Sequence, residues 1–193
     1  MNLKSILLGL INLHPSISGY ELKTIINKST GYFFTASLSM IYPALKELTQ
    51  EGLITYDVEP LVGKQDRKVY TITAGGLERL KDWLREPLQL DPSLNAFEDF
   101  LLKLTFIGIM DDACVLDYLK AAQKHFQDEK KRFSENMLKN EKEYIRMGPP
   151  MDARYLSLWV YENEYILDDL ARKVEWIENL IEQVKSGSLQ PGA

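Results

Sequence analysis

The sequence is poor in the residue types that most catalytic and metal sites need. Of its 193 residues, one is cysteine and two are histidine. The lone Cys114 excludes an intrachain disulfide framework and fits a reducing compartment. The two histidines, His14 and His125, lie far apart, on a turn and on a polar helix. There is no cysteine cluster, phosphate-binding glycine loop or nucleophile elbow, so we expect no enzyme and no metal site.

No apolar run near the N-terminus is long enough to cross a membrane. Residues 6–11 form an apolar run of six residues, whereas a spanning helix needs about 20. Lys4 is the one basic residue before this run, and no small-residue cleavage site follows it, so a signal peptide is not indicated. We expect a buried first helix in a cytoplasmic protein without a membrane partner.

The excess of positive charge that favours nucleic-acid binding is also missing. The net charge is −5, with +1 in residues 1–90 and −6 in residues 91–193. DNA binding by this chain must therefore depend on where a few cations lie, and not on bulk charge.

What the sequence does contain is a clear pattern of short helices in its first half. Apolar residues recur at helical spacing over residues 2–13. Ser18 and Glu21 have the spacing of a capping box, which predicts a second helix that ends at Gly31. A third helix is predicted to end at Gly52, which suits a left-handed C-cap.

The start of the third helix has two alternatives. With Ser39 as its N-cap, Pro43 falls in the first turn, where its missing N–H costs little. With Ser37 as the N-cap, a local kink at Pro43 is favoured.

Two strands and a fourth helix follow. Residues 53–59 and 68–73 alternate apolar and polar side chains, and Thr73 caps the next helix. The hairpin tip between the strands brings together the cations Lys64, Arg67 and Lys68. Three helices followed by a β-hairpin is the order of a winged helix-turn-helix, in which the third helix enters the major groove and the hairpin, or wing, lies along the backbone or minor groove.

The second half is predicted to be helical throughout. Pro87 and Pro92 bracket a linker. Asp111 caps a long helix to about Met147, and a Gly-Pro-Pro break at 148–150 precedes the last helix. The expected domains are a winged helix over 1–90, a helical dimerisation domain over 91–186 and a flexible tail over 187–193.

The last helix carries the clearest periodicity of the chain. Its apolar positions step by alternating fours and threes, which is the a/d pattern of a coiled coil with one polar member. These positions are Leu156, Val160, Asn163, Leu167, Leu170, Val174, Ile177, Ile181 and Val184. We expect them to pair two subunits; the alternative is a helix packed within one chain, which explains the periodicity equally well. The fold class is therefore mainly α with a small β-wing (α+β), and the C-terminal part is an antiparallel helical, coiled-coil-like domain.

Several segments resemble one family of bacterial transcription regulators, the PadR family. In the helices the matching residues are Gly19-Tyr20-Glu21-Leu22, Ile41-Tyr42-Pro43-Ala44-Leu45-Lys46-Glu47-Leu48 and Glu51-Gly52-Leu53-Ile54. In the wing they are Gly63 and Arg67-Lys68-Val69-Tyr70-Thr71-Ile72-Thr73, followed by Gly76. Trp83-Leu84 and Phe100-Leu101-Leu102-Lys103-Leu104 are similar to the start of the helical domain in the longer subfamily.

The resemblance implies a homodimeric regulator that binds double-stranded DNA, usually as a repressor. The twofold axis of such a dimer predicts a pseudo-palindromic operator. In some members small aromatic or drug-like ligands release the DNA, and neither a cofactor nor catalysis is expected. The alternative is a winged-helix scaffold that binds proteins and not DNA.

The expected DNA contacts lie on the second helix, the third helix and the wing. They are Tyr20, Ser37, Ser39, Tyr42, Lys46, Thr49, Gln50, Lys64, Arg67 and Lys68. Hydroxyl groups suit phosphates or base edges, Gln50 suits adenine, and the cations suit phosphates. Core packing is the alternative for Tyr20 and Tyr42, and pairing with Asp66 is the alternative for Arg67.

A ligand pocket is a further expectation, with plain core packing as its alternative. Its candidate aromatic residues are Trp83, Phe100 and Trp159.

Overall fold

The computed structural model describes residues 3–30, 35–60, 66–87, 96–147 and 153–188. The chain divides into two compact units, Met1–Met110 and Asp111–Ala193. Nowhere in the described ranges is a helix both long enough and apolar enough to cross a membrane.

The first unit begins with the three predicted helices. They are α1 (Leu3–Leu13), α2 (Gly19–Ile25) and α3 (Leu38–Gln50), and a π-helical turn at Ile26–Thr30 extends α2. The predicted capping box is present: Ser18 Oγ accepts from the Glu21 N–H, and the Ser18 N–H donates to Glu21 Oε2 at 2.9 Å. This exchange satisfies two backbone N–H groups that a helix start would otherwise leave without partners.

Helix α3 begins after Ser37, the earlier of the two predicted caps. The Ser37 side chain makes no capping hydrogen bond; its Oγ lies 2.7 Å from Ser39 Oγ, and its carbonyl accepts from Met40 and Ile41. Pro43 therefore lies inside the helix and not in its first turn. The helix ends at the predicted place, where Gly52 has a φ of +70°.

The sheet has three strands and not the predicted two. The hairpin β2 (Ile54–Glu59) and β3 (Arg67–Ile72) is joined by β1 (Ile17–Ser18), in the order β1-β3-β2 with antiparallel neighbours. A strand of two residues is too short to show an alternation of apolar and polar side chains, so the sequence does not predict β1. Its pairing ties the start of α2 to the base of the wing.

Helix α4 (Ala74–Arg85) closes the winged helix. As predicted, Thr73 caps it: Thr73 Oγ1 accepts from the Gly76 N–H at 3.1 Å. A Cβ at Gly76 would collide with the Leu53 carbonyl oxygen, so glycine is required where α4 leaves the sheet.

The first unit extends beyond the expected boundary near residue 90. Helix α5 (Ala96–Leu104) and a short 3-10 turn (Ile107–Ile109) belong to it. Leu102 and Phe106 are buried in the same core as α1, and a Cβ on Gly9 would lie 2.5 Å from the Phe106 ring. The prolines at 87 and 92 predict a domain boundary between them, but Leu102 and Phe106, which follow them, pack in the core of the winged helix.

The second unit is built on two long helices, α6 (Asp112–Met147) and α7 (Ala153–Ser186), which pack along each other. Asp111 caps α6 as predicted, because its Oδ1 accepts from the Cys114 N–H at 2.8 Å. Five residues connect the two helices and reach at most about 18 Å, so the helices run antiparallel.

Most of the heptad seam of α7 is buried within one chain. The buried residues of this seam are Asn163, Leu170, Ile177, Ile181 and Val184. On α6, the described residues that are buried are Tyr118, Leu119, Ala122 and Phe126. Leu167 and Val174 are partly buried, Val160 is 42% exposed, and the side chain of Leu156 lies outside the described part. For the buried positions, packing within the chain is the alternative that the structure shows, because α7 packs along α6. Asn163 is satisfied locally, since its Nδ2 donates to the Trp159 carbonyl at 2.8 Å.

A buried lysine in α5 makes the stability of the first unit depend on pH. Lys103 is 3% exposed; its Nζ donates to the Glu86 carbonyl at 2.9 Å and lies 5.4 Å from the centre of the Trp83 ring. Burial lowers the pKa of Lys103, against smaller opposing effects of Asp99 and Glu86. The folded protein therefore loses this proton at a lower pH than the unfolded chain does.

We expect Lys103→Met to be at least as stable as the original chain at pH 7.5, because a buried charge has a desolvation cost that an apolar side chain of similar length does not have. As the pH rises toward the unfolded-state pKa of Lys103, the original chain should gain stability relative to the variant, since the unfolded state then binds more protons than the folded state. Urea denaturation of both proteins at several pH values measures this difference. A difference that is independent of pH would contradict it.

Candidate nucleic-acid interface

An open cleft of about 1090 Å³ lies between the start of α2, the exposed face of α3 and the wing. It brings together most of the residues that were predicted to contact DNA. Those that line it are Tyr20, Tyr42, Lys46, Thr49, Gln50, Arg67 and Lys68. Ser37 and Ser39 are exposed at the beginning of α3 but do not line the cleft, and Lys64 lies outside the described residues.

The exposed face of α3 follows from its helical spacing. Ile41, Leu45 and Leu48 are fully buried and hold the helix on the core. The residues that line the cleft lie on the other side of the same helix. Burial of one face therefore decides which side chains of α3 a partner can reach.

Both tyrosines that had core packing as an alternative are exposed. Tyr20 is 65% exposed and Tyr42 is 48% exposed. The Tyr42 ring lies against Gly19, where an added Cβ would be 2.8 Å from its Cε1 atom. The glycine thus lets an aromatic ring lie over the start of α2 and forms part of the cleft wall.

The polar groups of α3 differ in what they can offer. Thr49 Oγ1 donates to the Leu45 carbonyl at 2.8 Å, so its hydroxyl can accept but its proton is already used. Gln50 is exposed at the last residue of the helix. The predicted donor role of Thr49 is thereby reduced to that of an acceptor, because a helical threonine readily bonds to its own backbone.

Two lysines are the cations of the cleft that carboxylates do not neutralise. Among the described residues, neither Lys46 nor Lys68 has a carboxylate within 4.0 Å. Lys46 is exposed on α3, and the Lys68 Nζ lies 4.0 Å from the centre of the Tyr56 ring. A cation held over an aromatic face keeps its charge available to an anion.

Arg67 differs from these lysines because its charge is already compensated. Its Nε lies 2.7 Å from Glu59 Oε2, and its Nη1 lies 3.4 Å from Glu21 Oε1. Glu59, and less strongly Glu21, raises the pKa of the guanidinium. The sequence had suggested Asp66 as the partner of Arg67, but the partner directly opposite in the sheet is Glu59.

Glu21 links the helix start to the wing. Both the Ser18 hydroxyl and the Ser18 N–H donate to its Oε2, and Arg67 approaches its Oε1. The hydrogen bonds from Ser18, followed by the charge of Arg67, lower the pKa of Glu21. A charged carboxylate is therefore fixed inside the cleft.

Two further tyrosines of the cleft were not among the candidate residues. Tyr56 of β2 is 41% exposed, and Tyr70 of β3 is buried with its ring centre 6.1 Å from that of Tyr56. Burial, and to a smaller extent Tyr42 and Tyr56, raises the pKa of Tyr70. The strand alternation could have identified Tyr56, but the position of Tyr70 depends on β1, which covers β3 on one side.

The opposite flank of α3 is neutralised by α1. Lys4 Nζ lies 2.8 Å from Glu47 Oε2 and 2.7 Å from Glu51 Oε1. This ion-pair network joins the two helices and balances carboxylates of α3 and its C-terminal end that do not line the cleft.

The described residues contain no group of three or more His, Cys, Asp or Glu side chains that could hold a metal ion.

The three residues predicted to line a ligand pocket do not all lie in the same unit. Trp83 and Phe100 are buried in the first unit, where Trp83 packs beside Phe106 at 6.2 Å, and Trp159 is partly buried on α7. A ligand pocket at these residues stays a prediction.

The chain is similar to known transcriptional regulators. The family model described as "Transcriptional regulator PadR-like family" matches residues 7–82. The negative transcriptional regulator PadR of Bacillus subtilis is 29% identical over 186 residues, which cover 94% of this chain and 97% of that protein. A probable transcriptional regulator of Mycobacterium tuberculosis is 37% identical over 71 residues, or 37% of this chain and 38% of that one.

Solved structures of similar sequence cover nearly the whole chain. Bacillus subtilis PadR in complex with operator DNA is 27% identical and covers 94% of this chain and 98% of its own, with a TM-score of 0.46. The structure of the same protein in complex with p-coumaric acid is 24% identical and covers 95% of each chain, with a TM-score of 0.41. Residues 7–82 thus match the PadR-like family of transcriptional regulators, and the chain is similar to Bacillus subtilis PadR over nearly its whole length.

Proposed function

We propose that this transcriptional regulator is a homodimeric repressor that binds a pseudo-palindromic duplex operator, and that a small aromatic or drug-like ligand releases the DNA. The observation that carries the proposal is the convergence of α2, α3 and the wing on one cleft. Seven predicted contact residues line it, two of them lysines without a carboxylate partner among the described residues. Such a cleft offers cations, hydroxyls and an amide to a phosphate backbone and to base edges.

The three parts of the cleft suit different parts of a DNA duplex. The exposed face of α3 presents Tyr42, Lys46 and Gln50, which suits a helix in the major groove. Lys68 on β3 lies beside it and suits a phosphate of the flanking backbone. Tyr20 at the start of α2 offers a hydroxyl to the same backbone.

Repression is favoured over activation by the relative that covers nearly the whole chain. Bacillus subtilis PadR is named a negative transcriptional regulator. Release by a small aromatic ligand rests on the family resemblance; the candidate residues for a ligand are Trp83 and Phe100 within the first unit and, separately, Trp159 within the second.

Dimerisation is supported by an apolar stripe on α7 that lies outside the buried seam. Leu158, Tyr161 and Tyr165 are 60%, 70% and 67% exposed, and they follow one another at steps of three and four residues. This spacing places them on one face of the helix. Large exposed apolar side chains on one face are typical of an interaction site, and we propose a second copy of the chain as its partner.

Selection of bound fragments from random duplex DNA tests the proposed function. An inverted repeat should be enriched, with half-sites about one helical turn or roughly 34 Å apart. If a dimer neutralises six phosphates, its affinity should fall about a thousandfold between about 50 and 200 mM salt. Small aromatic acids, added as a panel, should include compounds that lower this affinity.

Failure of this selection has a definite meaning. If no duplex is enriched at any salt concentration, with or without the aromatic acids, the alternative of a protein-binding scaffold replaces the proposal. The net charge of −5 is the observation that favours the scaffold.

The substitution Lys46→Gln should weaken binding to all duplex sequences alike and lower the slope of log affinity against log salt by about 0.9 per subunit, because one phosphate contact is lost. Filter binding or fluorescence anisotropy over a salt series measures both quantities. Lys120→Gln makes the same charge change at an exposed position of α6 and serves as the control. If both variants keep the original slope, Lys46 contacts no phosphate.

The double substitution Tyr161→Glu with Tyr165→Glu should convert the dimer to a monomer at micromolar concentration, because four charges would then face one another across the twofold axis. Light scattering coupled to gel filtration measures the mass. Asn179→Glu with Gln183→Glu adds the same charge at exposed positions four residues apart on the same helix, and should leave the dimer intact. Equal effects of both double variants would argue against this stripe as the interface.

A further inference from the structure

The two carboxylate partners of Arg67 are bound in unequal ways. Glu59 lies opposite Arg67 in the register of β2 and β3, and the Nε–Oε2 distance is 2.7 Å. Glu21 comes from α2, and its Oε1 is 3.4 Å from Nη1. The contact with Glu59 is thus part of the sheet, whereas the contact with Glu21 is longer and joins two different elements.

Glu21 is held in place by its other oxygen. Ser18 Oγ lies 2.6 Å and the Ser18 N–H nitrogen 2.9 Å from Glu21 Oε2. The capping box therefore fixes the carboxylate, and its remaining oxygen faces the Nη edge of the guanidinium. Both side chains line the cleft and are nearly half exposed, so a phosphate oxygen can approach the same edge.

We propose that Glu21 acts as an internal substitute for a DNA phosphate: its carboxylate holds the Nη edge of Arg67 in the free protein and is displaced by a phosphate on binding, while Glu59 keeps the guanidinium in position. This inference rests on the proposed function. Glu59 is thereby a positioning residue, and Glu21 sets the affinity by competing with DNA.

The exchange is physically reasonable because the contact that breaks is weak. Exposed ion pairs contribute little to stability, and a 3.4 Å contact is long for a charge-assisted hydrogen bond. A phosphate offers several acceptor oxygens, and Arg favours the paired geometry that these allow. After this displacement the Glu21 carboxylate is an anion beside the phosphate, and the repulsion between the two lowers the affinity for DNA.

The substitution Glu21→Gln separates the charge of this residue from its role in the cap. Gln at this position retains the capping box, so the thermal midpoint followed by circular dichroism should stay close to that of the original chain. The dissociation constant for the selected operator should fall roughly threefold to tenfold at low salt, and this gain should shrink as salt screens the charge.

A matched control removes the same charge elsewhere in the wing. Asp57 is exposed on β2 and does not line the cleft. Asp57→Asn should change the dissociation constant less than Glu21→Gln does. If both variants gain affinity equally, the gain follows from the change in net charge alone, and the proposed role of Glu21 is wrong.

The competition for Arg67 is tested by repeating Glu21→Gln in an Arg67→Gln background. If Glu21 competes with a phosphate for Arg67, most of the gain disappears when Arg67 is absent. A gain of the same size in both backgrounds means simple repulsion between Glu21 and DNA, and overturns the exchange. Weaker binding by Glu21→Gln at unchanged thermal stability means that Glu21 holds the wing for DNA, and also overturns it.

The outcome also separates this inference from the proposed function. If the original chain binds no duplex DNA, the proposed function fails and the inference fails with it. If the original chain binds its selected operator and Glu21→Gln binds equally well, the inference alone fails.

Discussion

Burial of α1 is the constraint on which the first unit depends. Ile6, Leu7, Leu8, Leu10 and Ile11 are at most 2% exposed, and α1 contacts α3, α4 and β3. Full burial of each such side chain contributes about 1.5–3 kcal/mol. Because one helix contacts all three elements, it determines how α3 and the wing are placed around the cleft, although none of its residues lines the cleft itself.

The cleft shows how an acidic protein can still present cations that carboxylates do not compensate. Carboxylates and cations are sorted locally: Lys4 balances Glu47 and Glu51 on one flank of α3, Glu59 and Glu21 compensate Arg67, and Lys46 and Lys68 face the cleft. Bulk charge therefore describes this protein poorly. What matters is which cations have a carboxylate partner, and this depends on distances between residues that are far apart in the sequence.

Local chemistry predicted the elements of the fold well. The capping box of Ser18 and Glu21, the caps at Thr73 and Asp111 and the left-handed Gly52 all stand where the sequence placed them. Each of these signals acts over three or four residues, so it can be recognised without knowing the rest of the fold. The features that were missed act at longer range: β1 is defined by its pairing with β3, and the place of α5 in the first unit by its packing in the core of α1.

The sequence by itself determined the order of the main helices and of the two hairpin strands, the family resemblance and most of the residues that line the cleft, because these follow from local periodicity, capping and motif spacing. Only the tertiary structure decided that Arg67 pairs with Glu59 and Glu21, that Tyr56 and Tyr70 complete the cleft, and that the heptad seam of α7 is largely buried against α6. A periodic apolar face predicts that a helix will be covered. Whether a neighbouring helix of the same chain or a second copy covers it depends on which surface reaches that face, and a one-dimensional pattern does not contain that information.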